Sequence, residues 1–225
     1  MRRHIALSIT LFCLASAAQA DVVYQFAVNT SSISGTVGSL DLQFNPGPLV
    51  SQAASLQILN FVSSGTFAGA PTLSGDVSGG PLPATLTFGN SAAFNDYFEG
   101  FTFGSSLLFD VRLYGPAINS PNGTATSGSA FAFSMFSDAA GTIPALTTDL
   151  TDGFAALVSV NPGGTTALTN FSRQTSVVPV SAVPEPRGVA LVGVAIAMLG
   201  LLRRSRWRLP RLLSRDSYGA VRCGE

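Results

Sequence analysis

Leu107-Leu108-Phe109-Asp110-Val111-Arg112-Leu113-Tyr114 decides the fold class. Positions 107, 109, 111 and 113 are apolar, while Asp110, Arg112 and Tyr114 alternate with them. Successive side chains on a strand point to opposite faces, so this octet buries one face and presents the other to solvent. The same two-residue period recurs at Tyr24-Phe26-Val28, Leu40-Leu42-Phe44, Leu56-Ile58, Leu86-Phe88, Phe101-Phe103, Phe131-Phe133-Met135 and Leu157 with Ser159. Gly35, Asn45-Pro46-Gly47-Pro48, Gly79-Gly80-Pro81, Asn122-Gly123 and Asn161-Pro162-Gly163-Gly164 punctuate these runs, and no long capped helical period intervenes. Short strands with turn signals between them predict an all-β domain, a β-sandwich or jelly roll; loops of unequal length favour the sandwich over a barrel.

That domain spans residues 21–182, long enough to bury about 70% of its unfolded surface. It contains no cysteine, because Cys13 and Cys223 lie outside it, so its stability rests on packing and not on disulfides. Fifteen of the 16 Phe fall within it and are expected to fill the space between two sheets.

Outward from the domain, the composition changes. The 12 basic residues, all Arg, balance 12 acids over the whole chain, yet residues 21–182 hold two Arg against nine acids, a net charge of −7. Such a domain is expected to be soluble and to avoid nucleic acid. Residues 1–20 begin with Arg2, Arg3 and His4, continue as an apolar run to about Ala17, and end in Ala18-Gln19-Ala20. This is the order of a secretory signal peptide cut before Asp21, with Cys13 an ordinary apolar residue inside it. At the other end Val183-Pro184-Glu185-Pro186 precedes the apolar stretch Gly188 to Leu202, followed by Arg203, Arg204, Arg206 and Arg208. The flanking prolines favour extended backbone around Glu185, which a protease can grip. As a helix the 15 apolar residues reach about 22 Å against a hydrocarbon core of about 30 Å, a deficit that snorkelling arginines and Trp207 offset. The arginines should stay cytoplasmic, which places residues 21–182 outside.

This end resembles the PEP-CTERM protein-sorting signal of Gram-negative bacteria. The resemblance covers residues 183–208 and makes Pro184, Glu185 and Pro186 the sorting motif, Val189 to Leu202 a transient transmembrane helix, and Arg203, Arg204 and Arg206 the cytoplasmic stop. Residues 209–225 form an atypical tail, since such signals end soon after the arginines. The resemblance implies two processing enzymes as partners, signal peptidase and the membrane-embedded exosortase. It also implies export across the inner membrane and delivery to a cell surface or extracellular matrix associated with exopolysaccharide and biofilm. The run Tyr24 to Val28, Leu40 to Gly47 and Ala93 to Phe98 is similar to an ectodomain shared by PEP-CTERM proteins, which supplies no catalytic residues to carry over.

Elimination narrows the chemistry. The one His is His4, and residues 21–182 hold no Cys and no Lys, which excludes from this domain Ser-His-Asp and Cys-His catalysis, His- or Cys-ligated zinc, a lysine Schiff base and a P-loop lysine. Carboxylates and calcium remain. Asp96 and Glu99, the only Glu of the domain, are three residues apart and project to opposite faces of a strand, so solvated surface charge is expected there and a glycosidase pair is not. The expectation is a non-enzymatic protein, with a calcium-dependent carbohydrate-binding module as the alternative. Asp149 and Asp152 before Gly153, with Asp138 nearby, and Asp41 with Asn45 offer the hard oxygens that Ca²⁺ takes, without EF-hand spacing; turn-forming Asp and Asn account for the same pattern. For saccharides the domain offers Tyr24, Tyr97 and Tyr114 and no Trp. Asp110, Arg112 and Tyr114 share one strand face, the first choice for a ligand surface, though an intrasheet ion pair between Asp110 and Arg112 is the expected reading.

Overall fold

The computed structural model describes residues 21–180. The expected signal peptide, sorting motif, transmembrane helix, arginine cluster and tail lie outside the described residues.

Twelve strands form two six-stranded antiparallel sheets. They are β1 (Val22–Asn29), β2 (Val37–Pro46), β3 (Ser55–Ser63), β4 (Thr66–Ser74), β5 (Val77–Gly79), β6 (Leu86–Gly89), β7 (Asp96–Thr102), β8 (Ser106–Tyr114), β9 (Ser129–Phe136), β10 (Phe154–Val160), β11 (Thr166–Asn170) and β12 (Thr175–Val180). The first sheet runs β12-β1-β8-β3-β6-β5 and the second β11-β10-β9-β2-β7-β4. A 3₁₀ turn at Ser31–Ile33 and a four-residue helix, α1 (Pro116–Asn119), complete the described elements.

The octet that opens the sequence argument is β8, and its alternation is literal. Leu107, Phe109, Val111 and Leu113 are buried, while Leu108 is 45% exposed. Tyr24, Phe26 and Val28 of β1 and Leu40, Leu42 and Phe44 of β2 likewise face the core. The two sheets meet through aromatic rings. Phe26 stacks on its cross-strand partner Phe109 at 4.8 Å and meets Phe131 and Phe133, from β9 of the other sheet, edge-on at 5.7 and 6.1 Å. Phe109 also meets Phe133 at 5.1 Å, so one ring cluster joins both layers. Such pairs add about 0.5–1.5 kcal/mol each beyond the area they bury.

β10 departs from the expected pattern. Leu157 and Ser159 face outward while Ala156, Val158 and Val160 are buried. A bulge between Phe154 and Ala156 resets the alternation, leaving Ala155 and Ala156 both buried. β10 turns into β11 through Asn161-Pro162-Gly163-Gly164. There Gly164 has φ +79°, and its N–H donates to the Asn161 carbonyl at 2.9 Å, a position that favours glycine.

Phe109→Ala is expected to cost about 3–5 kcal/mol in denaturant unfolding of the full chain, because the cavity opens on both sheets. Leu108→Ala, one residue away and exposed, should stay within about 0.5 kcal/mol.

Candidate functional site

The outer face of the second sheet is built by the residues that alternate with its core positions. On β2 these are Asp41, Gln43 and Asn45, a polar row opposite Leu40, Leu42 and Phe44. The row is tied end to end. Gln43 Nε2 donates to Asp41 Oδ2 at 2.9 Å, Asn45 Nδ2 donates to Gln43 Oε1 at 3.1 Å, and Asn45 Oδ1 accepts the Asn95 backbone N–H at 2.6 Å. Asn95 is wholly buried, its amide donating to the Phe44 and Ala92 carbonyls and accepting from Asp76 N–H.

Asp96 on β7 lies opposite Gln43 and so joins the same face as Asp41. The two carboxyls are neighbours, Asp96 buried and Asp41 half-buried, and one buried oxygen of each, Asp41 Oδ1 and Asp96 Oδ1, has no donor partner. Two ionised carboxylates in that position would repel in a medium of low dielectric, whereas one proton held between them satisfies both orphaned oxygens. Burial pushes the Asp96 carboxyl up to about 8, with Asp41 beside it adding to the rise; burial also raises Asp41.

Glu99 projects from the other face of β7, as expected for a residue three positions from Asp96, but neither carboxyl is solvated surface charge. Glu99 is 2% exposed in the core, where its carboxyl accepts a hydrogen bond from the Tyr97 hydroxyl, and Tyr97 Oη accepts the Leu82 N–H at 3.1 Å. Burial raises Glu99, and burial followed by its bond to Glu99 raises Tyr97. The expectation of surface charge failed because Glu99 lies on the core face of β7 and Asp96 packs beside Asp41 of the neighbouring strand, placements that local sequence does not signal.

Beside the polar row lies an open cleft of about 480 Å³. Gln43 and Asn45 form one wall, the short side chains of Ala130 and Ala132 on β9 the floor, and Phe154, Leu157 and Ser159 of β10 the far side. Gly128 closes one end against Val160, where an added Cβ would come within 1.9 Å of the Val160 carbonyl oxygen. The loop after β9 covers the opposite end of this face: Ser39 Oγ donates to the Asp138 carbonyl at 3.0 Å, and Phe136 bridges to Pro144.

The other expected site residues fall elsewhere. Asp149 accepts the N–H groups of Thr151, Asp152 and Phe154, closing its own loop, and Asp152 is exposed beside it. Asp138 does the same for Thr142 and Ile143, and the Ile143 N–H, foremost among these bonds, holds its carboxyl below the usual range. Among the described residues no three His, Cys, Asp or Glu side chains converge as a metal cluster. Arg112 does not pair with Asp110. Its guanidinium takes Asp21 at 2.5 Å and lies 5.2 Å over the Tyr114 ring, while Asp110 accepts from Asn60 Nδ2 at 2.7 Å. Partners on neighbouring segments, Asp21 for Arg112 and Asn60 for Asp110, take the place of the pair. Asn60, at φ +55° in the β3 bulge, is turned onto Asp110 by that kink. Tyr24 and Tyr97 are buried, which leaves Tyr114 as the one partly exposed tyrosine of the three.

Raised carboxyl pKa values stabilise the fold fully below the unfolded carboxylate range, and that contribution is lost as pH rises through the folded values. The melting temperature should therefore fall between pH 6 and pH 9, through the titration of Asp96 near 8. In Asp96→Asn the fall should flatten, as differential scanning fluorimetry across that range would register.

No family model, curated protein or solved structure matches the chain.

Proposed function

We propose that the chain is an exported, PEP-CTERM-sorted protein of the cell surface or extracellular matrix, associated with exopolysaccharide, whose residues 21–182 are the displayed, non-enzymatic domain. The observation that supports this reading is that every described strand lies between the two expected address segments. β1 begins at Val22, directly after the Ala20-Asp21 cleavage site, and β12 ends at Val180, four residues before Pro184. Removing both ends takes no strand from either sheet.

The first residue of the processed domain is also anchored. Asp21 accepts from Arg112 Nε at 2.7 Å and from Asn119 Nδ2 at 3.0 Å, which fixes the new N-terminus on the sandwich. β12 pairs with β1 in the register Val23 to Val180, so the first and last described strands lie side by side. Consecutive strands β1 to β5 alternate between the sheets, which supports a jelly-roll-like description of the sandwich. Signal peptidase and exosortase act on the ends, with Val189 to Leu202 as the transient inner-membrane helix and Arg203, Arg204 and Arg206 holding the cytoplasmic side.

Mass spectrometry of the surface-displayed protein from an exosortase-bearing host tests this. The expected N-terminus is Asp21, with no peptide beyond about Arg187. Replacing Pro184, Glu185 and Pro186 by alanine should bring the C-terminal peptides back. An intact C-terminus in the wild type, with normal surface display, would overturn the proposal.

A further inference from the structure

The cleft on the second sheet lies on a face whose backbone is already used. β2, β9 and β10 each have a hydrogen-bonded strand on both sides, so an extended peptide cannot add there as another strand. What the face offers is side chains. Its polar side chains are the amides of Gln43, Asn45 and Asn161 and the hydroxyls of Ser127, Ser129 and Ser159, and no charged residue is among those that line it. A phosphate or a uronate would find no counter-charge.

The amides are held before any ligand arrives. Gln43 and Asn45 each spend one N–H of the side-chain NH₂ group on the row described above and keep the second. Fixed amides lose little rotamer freedom on binding, which lowers the entropic cost of each new hydrogen bond. Across the cleft, Leu157 and Phe154 supply apolar surface, and Ala130 and Ala132 are short enough to leave room above the sheet. A volume of about 480 Å³ falls within the 300–1,000 Å³ usual for ligand clefts.

One class of ligand has matching chemistry: uncharged, with hydroxyls around its edge and C–H groups on its faces. We propose that this cleft binds a neutral glycan, a chain of uncharged hexopyranose units whose hydroxyls meet Gln43, Asn45 and Ser159 and whose ring face lies on Leu157. This site is independent of how the chain is sorted and requires no metal ion.

The test is native affinity electrophoresis of the purified full-length chain in gels containing dextran, galactomannan or mixed-linkage β-glucan, with alginate and gelatin as the anionic and peptide comparisons. Retardation is expected in at least one neutral polysaccharide and not in alginate or gelatin. Gln43→Ala, which removes a wall, and Ala130→Arg, which fills the floor, should each raise the apparent Kd at least tenfold. Tyr114→Ala on the other sheet should leave it unchanged. Thermal unfolding identifies the variants that keep the fold, and Leu157→Ala replaces any that do not. Migration unaffected by every neutral polysaccharide, retardation by alginate or gelatin alone, or retardation that survives the folded cleft variants would overturn the proposal.

Discussion

Phe26 stands where the two sheets must be joined, and the rest of the sandwich follows from how it is met. Its ring lies flat on Phe109 within its own sheet and presents its edge to Phe131 and Phe133 of the other. Each sheet has a hydrophobic face that is unstable in water, and each is too twisted to stack on a flat plane, so the interlocking of rings sets both the spacing and the lateral position of the layers. With no cysteine between residues 21 and 180, nothing covalent backs this contact. A well-filled aromatic layer substitutes for the staples that many secreted domains use.

Around that layer the fold places acidic groups in two different settings. Glu99 sits in the core against one hydroxyl, whereas Asp41 and Asp96 lie on the outer face at the end of an amide row. Buried carboxyls of this kind cost stability unless they are protonated or hydrogen-bonded. Their retention beside the cleft is consistent with the row Asp41-Gln43-Asn45 being kept for its geometry: a carboxyl pair at one end and the Asn95 backbone at the other hold the amides between them in a single orientation. The domain is thus acidic overall while the surface it offers beside that row is uncharged.

Periodicity in the sequence revealed eight strands, and the four it missed are β4, β5, β11 and β12. These are the outermost strands of the two sheets. An edge strand packs against fewer neighbours, and β4, β11 and β12 are largely exposed; β4 and β11 are rich in Thr and Ala, while β12 carries Val at consecutive positions with Pro179 within it, which leaves little alternation to detect. Interior strands had to bury side chains and so carried a pattern. The site was half legible. Asp41, Gln43 and Asn45 alternate with Leu40, Leu42 and Phe44 in the sequence itself, and the same period that marked the core marked this row. Its meeting with Asp96 was not legible, because strand pairing over 55 positions is set by register and not by local pattern. The outward turn of Leu157 and Ser159 was hidden for a related reason, since a one-residue bulge reverses every side chain beyond it.

The pairing of β1 with β12 has a mechanical side. Because the two strands run antiparallel with Val23 opposite Val180, tension between the two ends of the domain acts at a single rung and opens the pair one rung after another, like a zipper. Strands loaded in this way separate at far lower force than strands sheared along their length, where all rungs resist together. Load that enters through a C-terminal tether and leaves through a ligand held on the second sheet takes another path. Once β12 has peeled from β1, it runs along the backbone through residues 171–174 into β11 of that sheet. A tethered domain of this design would yield first at its C-terminal strand, while the ring cluster and the surface it supports stayed intact.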